Sequence, residues 1–257
     1  MSETILITGA AGRIGSLLAQ ELTRPGRTLR LTDLEGEGEV VAADILDARA
    51  MAKQMQGVDA VIHLAGHPNS RDWATVERLN MQGARVVFEA AIAAGATRII
   101  YASSIHAVGL HPADAALTAE MLLAPGSPYG VSKAYGEMLL EYLCRQHHVS
   151  GFAVRIASFR PHPDNARELR TWLSPADMVR LANACLTADV SGFNVVWGLS
   201  ANRRALVDRE AWARIGYAPR DEAEDHLAAL EAAGVDIYRV SEWPFLGAHF
   251  VTPGVAS

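Results

Sequence analysis

Three glycines spaced three apart, set between an apolar run and a helical pattern, restrict this chain more than any other feature. Ile5-Leu6-Ile7 reads as a short buried strand, and Thr8-Gly9-Ala10-Ala11-Gly12-Arg13-Ile14-Gly15 follows it directly. Ile14, Leu17, Leu18 and Leu22 then recur at helical spacing. A strand that passes through such glycines into a helix fits a dinucleotide phosphate turn. Gly9 permits the tight turn, Gly12 lets the backbone approach a pyrophosphate, and Gly15 lets the helix pack closely on the strand. The start of the helix, Arg13 and Ile14 included, offers free N–H groups to an anion.

The next strand, Leu29 to Asp33, ends in a carboxylate eighteen residues after Gly15. A carboxylate there is placed to accept hydrogen bonds from ribose hydroxyls and repels a 2′-phosphate, which favours NAD over NADP. Arg30 lies inside the strand and is not read as a 2′-phosphate ligand. Val40-Val41-Ala42 is a third strand, with Asp44-Ile45 at its end, where an adenine is usually gripped in such sheets. Residues 48–55 read as a short helix. Asp59 to Gly66 is a fourth, buried strand whose end, Leu64-Ala65-Gly66, passes under the nicotinamide ribose; His63 within it reads as a core histidine. A long helix is expected over 73–94. Asn80 within it either ties the helix to the sheet through backbone groups or is a polar face residue. A fifth strand, Thr97 to Ala102, delivers Ser103-Ser104 to its carboxyl end. Alternating strands and helices predict a parallel sheet covered on both faces, with ligands at the carboxyl ends of the strands. Gly9, Asp33, Gly66 and Ser104 all fall at that edge.

Residues 105–127 read as a long loop and 157–173 as a second irregular stretch carrying Arg160, His162, Arg167 and Arg170. Between them lies a helix over 128–148 and a sixth strand, Gly151 to Ile156. A helix over 175–188, opened by Ser174 as N-cap and Pro175 at its first position, precedes a seventh strand at 193–198. The remainder alternates short helices, at 208–215 and 221–233, with coil. The expected architecture is α/β: a Rossmann-type doubly wound parallel sheet with a small C-terminal substrate-binding lid. One domain spans 1–257, and 105–127 with 157–257 supply most of its substrate side.

Composition narrows the function classes. The net charge is −6 over 257 residues, so no broad basic surface invites nucleic acid. No apolar run approaches the roughly 20 residues of a membrane span. Cys144 and Cys185 fall on apolar helical faces and read as buried free thiols; with an N-terminus that runs straight into a strand pattern, they argue for a reducing, cytoplasmic setting. The nine histidines are scattered, and no metal site is expected.

Tyr129 and Lys133 stand one helical turn apart and point from one face. A cation beside a phenol favours phenolate and is expected to lower a pKa that is otherwise about 10. That makes a proton-transfer group usable near neutral pH. The apolar stripe Val131, Ala134, Tyr135, Met138, Leu139, Tyr142 and Leu143 is expected to face inward.

Together, Thr8-Gly-x-x-Gly-x-x-Gly15, Asp33, Ser104 and Tyr129-x-x-x-Lys133 resemble the extended short-chain dehydrogenase/reductase superfamily, including its Ser-to-Tyr spacing of 25 residues. The resemblance implies Tyr129 as acid/base, Lys133 as the group that lowers its pKa and holds the nicotinamide ribose, and Ser104 as the residue that orients the substrate hydroxyl. It also implies a cofactor site of Gly9, Gly12, Arg13, Ile14, Gly15, Asp33, Asp44, Ile45, Leu64, Ala65, Gly66 and Asn80, completed by Tyr129 and Lys133. Pairing of the helices at 73–94 and 128–148 in a homo-oligomer is a further expectation.

The second half is most similar to uronate dehydrogenases. Tyr101-Ala-Ser-Ser104, His106-x-x-Gly109, Val154-Arg-Ile-x-Ser158, Arg167-x-x-x-Thr-Trp-Leu-Ser174 and Val195-Val-Trp-Gly-x-Ser-Ala-Asn202 carry that likeness. It implies NAD-dependent oxidation of a sugar acid at C1, with Arg167 gripping the carboxylate and Ser104, His106 and Ser158 lining the sugar site. The family usually has Asn where this chain has Ile105, and Gly-Gly-x-Ser where this chain has Ala65-Gly66-His67-Pro68; His67 or Asn69 could supply the missing polar contact. Alternatives are a sugar epimerase or dehydratase without net redox change, and an NAD-binding protein without turnover.

Overall fold

Strand and helix alternate along the chain as their apolar periodicities predict. The computed structural model describes residues 3–68 and 70–251. Its strands are β1 (Glu3–Thr8), β2 (Arg27–Asp33), β3 (Val40–Ala42), β4 (Ala60–His63), β5 (Arg98–Ser104), β6 (Ser150–Ile156), β7 (Ser158–Phe159), β8 (Trp172–Leu173) and β9 (Phe193–Gly198). Seven form one parallel sheet in the order β3-β2-β1-β4-β5-β6-β9, and β7 pairs with β8 beside it. The chain moves outward from β1 in one direction to β3, then returns to start again at β4. The crevice opened by that reversal lies at the carboxyl ends of β1 and β4, where open α/β sheets bind ligands.

Side chains alternate between the two faces of each strand, so β1 feeds both halves of the core. Ile5 and Ile7 join Leu18, Phe152, Leu181 and Val196 on one face. Leu6 joins Met51, Val61, Phe88, Ile99 and Leu140 on the other. The first face is covered by α1 (Arg13–Glu21) and, later in the chain, by the helix at Pro175–Thr187. The second is covered by α2 (Ala48–Gln54), whose first turn is capped by the Asp47 carboxylate, and by two longer helical stretches.

The first of these stretches is less regular than expected. It runs as α3 (Trp73–Thr75), a π-helical segment over Val76–Gln82, and α4 (Gly83–Ala93). Asn80 lies in the widened segment, where its buried amide bonds to a neighbouring loop and to the next helix.

The second stretch, α5 (Pro128–His147), starts with Ser127 as N-cap and Pro128 at its first turn. Its buried face is not the expected apolar stripe. Of that stripe only Ala134 and Leu143 are buried, whereas Met138 and Tyr142 are 55% and 59% exposed. Tyr129, Ser132, Lys133 and Glu137 are buried instead, each with a polar or aromatic partner from another element. Periodicity alone weighs apolar area; buried partners for polar groups overrode it.

The substrate side is also more ordered than the sequence suggests. The loop at 105–127 opens with a 3-10 turn over Ile105–Val108, and the stretch 157–173 holds β7, α6 (Glu168–Thr171) and β8. After α7 (Pro175–Thr187) and β9 come α8 (Arg209–Ile215), a 3-10 turn over Ala223–His226, and α9 (Leu227–Ala232). Leu169, Trp172, Ala223, Leu230 and Ile237 form a small satellite core of their own. Among the described residues no helix is long and apolar enough to cross a membrane.

Candidate active site

One cavity of about 750 Å³ runs along the carboxyl edge of the sheet, from Gly9 and Asp33 at one end to Arg167 and Phe250 at the other. At its first end the glycine turn is as tight as the motif requires. Gly9 has φ +73°, and a Cβ on it would meet the Ala65 nitrogen at 2.6 Å. A Cβ on Gly15 would lie 2.1 Å from the Gly9 carbonyl oxygen, so only glycine lets α1 start this close to β1. Among the described residues no side chain caps the N-terminus of α1, which leaves its first N–H groups at the cavity beside Arg13 and Ile14. The Asp33 carboxylate holds the turn by accepting from Ala11 N at 2.9 Å and Leu34 N at 2.7 Å. Asp44, Ile45, Leu64, Ala65 and Gly66 line the same end. This cradle of backbone donors, with Asp33 at the end of β2, fits a dinucleotide without a 2′-phosphate. Arg30 donates to main-chain carbonyls of Gln54 and Gln56.

Asn80, grouped with the cofactor residues by the sequence, does not line the cavity. Its Oδ1 accepts from His67 N at 2.7 Å, while Nδ2 donates to His67 O and to Ser132 Oγ, both at 3.1 Å. It therefore clamps the loop after β4 to α5. Gly66, at φ +147°, is left with no room for a Cβ beside Asn80 Oδ1.

At the centre, β5 and α5 bring Ser104, Tyr129 and Lys133 to one wall. Lys133 Nζ donates to Ala102 O at 2.7 Å and lies 5.6 Å from the centre of the Tyr129 ring. The expected lowering of the Tyr129 pKa is not what this environment produces. Burial pushes the phenol up to about 12, against a downward pull from the Ser104 hydroxyl hydrogen bond. The ammonium is turned toward a main-chain carbonyl rather than the phenol oxygen, and burial pushes Lys133 down to about 8.

Two histidines flank this wall. His63 is a core residue, as read from the sequence: its Nδ1 pairs with Thr8 Oγ1 at 2.7 Å and its ring stacks on Tyr101. Burial, reinforced by Lys133, pushes it down to about 3. His106 packs edge-on against Tyr129, with ring centres 5.6 Å apart, and burial followed by Arg167 and His249 also pushes it down to about 3. Both stay neutral when folded, while an unfolded histidine takes up a proton near pH ~6.5. Below that pH the unfolded chain binds more protons, so stability present at neutral pH is lost as the solution is acidified. Urea melts should show a midpoint steady above pH ~7 and falling below ~6.5, each histidine contributing up to about 1.4 kcal/mol per pH unit. A slope unchanged in His63→Gln would remove that residue as a source.

At the far end, Arg167 reaches the cavity from just before α6. Its Nη1 donates to Ser158 Oγ at 3.1 Å and Nη2 to Leu246 O at 2.7 Å, while Nε is buried with no partner among the described residues. Burial pushes the guanidinium down to about 10, so it remains charged at neutral pH. Arg160 lines this end too, but its charge is taken up by Asp164 and by Glu168, the latter 3.2 Å from Nε. Burial raises Glu168 to about 7. Ile105, only 1% exposed, His67 and Pro68 complete this part of the lining; Asn69 lies outside the described residues.

Several lining residues were not singled out from the sequence: Asn165, Glu168, Trp243, Ala248, His249 and Phe250. Behind the wall lies a second unanticipated group. Arg155 donates to Glu137 from Nε at 3.0 Å and Nη2 at 2.8 Å, and Ser103 Oγ bonds to the same carboxylate. It joins β5, β6 and α5 one helical turn beyond Lys133.

The chain is similar to known proteins along most of its length. A uronate dehydrogenase of Pseudomonas putida is 36% identical over 235 residues, covering 89% of this chain and 88% of its own length. An NAD-dependent glucose-6-phosphate dehydrogenase of Haloferax volcanii is 33% identical, covering 88% of this chain and 96% of its own. The crystal structure of a mutant uronate dehydrogenase from Agrobacterium tumefaciens complexed with NAD superposes with a TM-score of 0.91 at 32% identity, over 98% of this chain and 97% of that one. The model of the NAD dependent epimerase/dehydratase family matches residues 5–162, which hold the glycine turn, Asp33, Ser104, Tyr129 and Lys133. The chain belongs to that family.

Proposed function

We propose that this protein oxidises the anomeric carbon (C1) of a uronic acid, such as galacturonate or glucuronate, to an aldarolactone with NAD. The observation that carries the reading is the buried, unpartnered Nε of Arg167, at the far end of the cavity that Ser104, Tyr129 and Lys133 line. A planar guanidinium with an unused donor suits a carboxylate. The names of the relatives at 32–36% identity point the same way.

Gly9, Gly12, Arg13, Ile14, Gly15, Asp33, Asp44, Ile45, Leu64, Ala65 and Gly66 would hold NAD, with Lys133 on its nicotinamide ribose. When bound, NAD supplies the hydride acceptor. Ser104 orients the C1 hydroxyl, and Tyr129 Oη takes its proton as the C1 hydride departs, leaving the lactone carbonyl. Lys133, still largely protonated below its pKa of about 8, favours the phenolate electrostatically. His106, Ser158 and Arg167 seat the sugar acid, with 105–127 and 157–251 forming the substrate side of the single domain.

Charge balance supports a carboxylate over a phosphate, the group named for the Haloferax relative. Among the described residues Arg160 is offset by two carboxylates, and Arg167 is the lining arginine of this end without an ion pair. One free guanidinium matches a monoanion better than a dianion. NADH formation should therefore occur with galacturonate or glucuronate and be weak with aldose 6-phosphates. Arg167→Ala should raise the uronate KM roughly ten- to a hundredfold, the cost of losing hydrogen bonds to a charged group. Absence of NADH from every uronate would overturn the substrate; turnover without added NAD and without net redox change would favour an epimerase or dehydratase instead.

A further inference from the structure

The segment Trp243–Phe250 belongs to neither half of the sheet, yet Trp243, Ala248, His249 and Phe250 all line the cavity. It is sewn to the substrate side through its backbone. Ala113 N donates to Pro244 O at 2.9 Å, Leu246 N to His111 O at 2.9 Å, and Gly247 N to Gly109 O at 2.8 Å. Arg167 donates to Leu246 O, so the same strap helps set the guanidinium. The chain then turns sharply at Ala248, whose φ of +52° is a conformation side chains other than glycine rarely adopt.

Beyond that turn the strap meets the cofactor side. Arg71, on the loop between β4 and α3, donates from Nη2 to His249 O and places its guanidinium carbon 5.9 Å from the centre of the Phe250 ring. Among the hydrogen bonds of the described residues, this is the one that joins the strap to that loop. Phe250 in turn lies 4.9 Å from the His106 ring centre, and His106 lies 5.6 Å from Tyr129. Arg71 does not line the cavity itself. It acts on residues that do.

We propose that Arg71 is a positioning residue: it latches the Trp243–Phe250 strap across the cavity, seating Phe250 and His106 against Tyr129 and steadying Arg167 through Leu246. A guanidinium suits the task because it donates to a carbonyl in its plane while presenting charge to an aromatic ring. Lysine keeps the donor and the charge but loses the planar fork. The latch should therefore govern sugar-acid affinity, and it should do so without changing the glycine turn that holds NAD. The kinetic part of the proposal rests on the uronate reading above.

The test compares unsubstituted protein, Arg71→Ala and Arg71→Lys by amide hydrogen exchange and by steady-state kinetics with galacturonate. In Arg71→Ala, exchange at Leu246, Gly247 and Phe250 should quicken about tenfold or more, with β1 and β4 unchanged. The galacturonate KM should rise about tenfold while kcat and the NAD KM stay within about twofold, and Arg71→Lys should fall between. Unchanged strap exchange in Arg71→Ala overturns the latch, whatever the substrate. Faster exchange with an unchanged galacturonate KM overturns the positioning role. If the unsubstituted protein does not oxidise uronates, the substrate reading fails by that result alone, and faster exchange still upholds the latch.

Discussion

Tyr129→Phe should lower kcat for uronate oxidation roughly 10²- to 10⁴-fold, the contribution of a positioned acid–base group. The substitution removes only the phenol oxygen. The ring keeps its edge contact with His106 and its place 5.6 Å from Lys133 Nζ, so the wall of the cavity should survive. NAD affinity, measured by calorimetry, should therefore change little. In the unsubstituted enzyme, burial keeps the phenol protonated at neutral pH, with a pKa of about 12. Proton removal from the substrate needs phenolate, so kcat/KM should climb as pH rises from ~6. Above about 8 Lys133 loses its charge, and the climb should flatten. A Tyr129→Phe enzyme with near-normal kcat would move the base elsewhere.

Glu137→Met should destabilise the protein by about 3–5 kcal/mol, because it strands a buried guanidinium. Both side chains of the Glu137–Arg155 pair are 3% exposed, and the pair is bidentate. Arg155 also donates to Met121 O at 3.2 Å and lies 5.8 Å from the Trp197 ring centre, so its charge has no route to water. For a chain of this size that loss lowers the melting temperature by about 10 °C. Replacing both residues with Met should restore most of it, since the uncompensated charge then disappears. Thermal melts followed by circular dichroism decide this; a double variant as unstable as the single one would show that the cost is packing rather than charge. Glu137 stands one turn beyond Lys133, so the single variant should also loosen the helix that presents Tyr129 and Lys133.

The dinucleotide half was legible because its requirements are local. Gly9, Gly12 and Gly15 meet steric demands within one turn, and the strand ends that follow fall at one edge because parallel sheets align them. Asp33 and Ser104 needed nothing further to be found. The face of α5 was misread for the opposite reason. Ser132, Lys133 and Glu137 look like a solvated helix side until Asn80, Ala102 O and Arg155 are brought against them from other elements. Likewise the expected fall in the Tyr129 pKa counted a neighbouring charge and omitted desolvation, which is the larger effect once the phenol is buried.

By itself the sequence determined the parallel sheet, the carboxyl edge that carries the glycine turn, and the placing of Tyr129 and Lys133 one helical turn apart, since each follows from short-range spacing and strand periodicity. Only the tertiary structure decided that Arg167 keeps an unpartnered Nε among the described residues, that Arg160 is paired with Asp164 and Glu168, and that Phe250, packed beside Arg71, lines the cavity. Those outcomes depend on which carboxylates and carbonyls arrive from elsewhere in the chain. No local pattern encodes them, because hydrogen-bond satisfaction is settled by the partners that folding brings together.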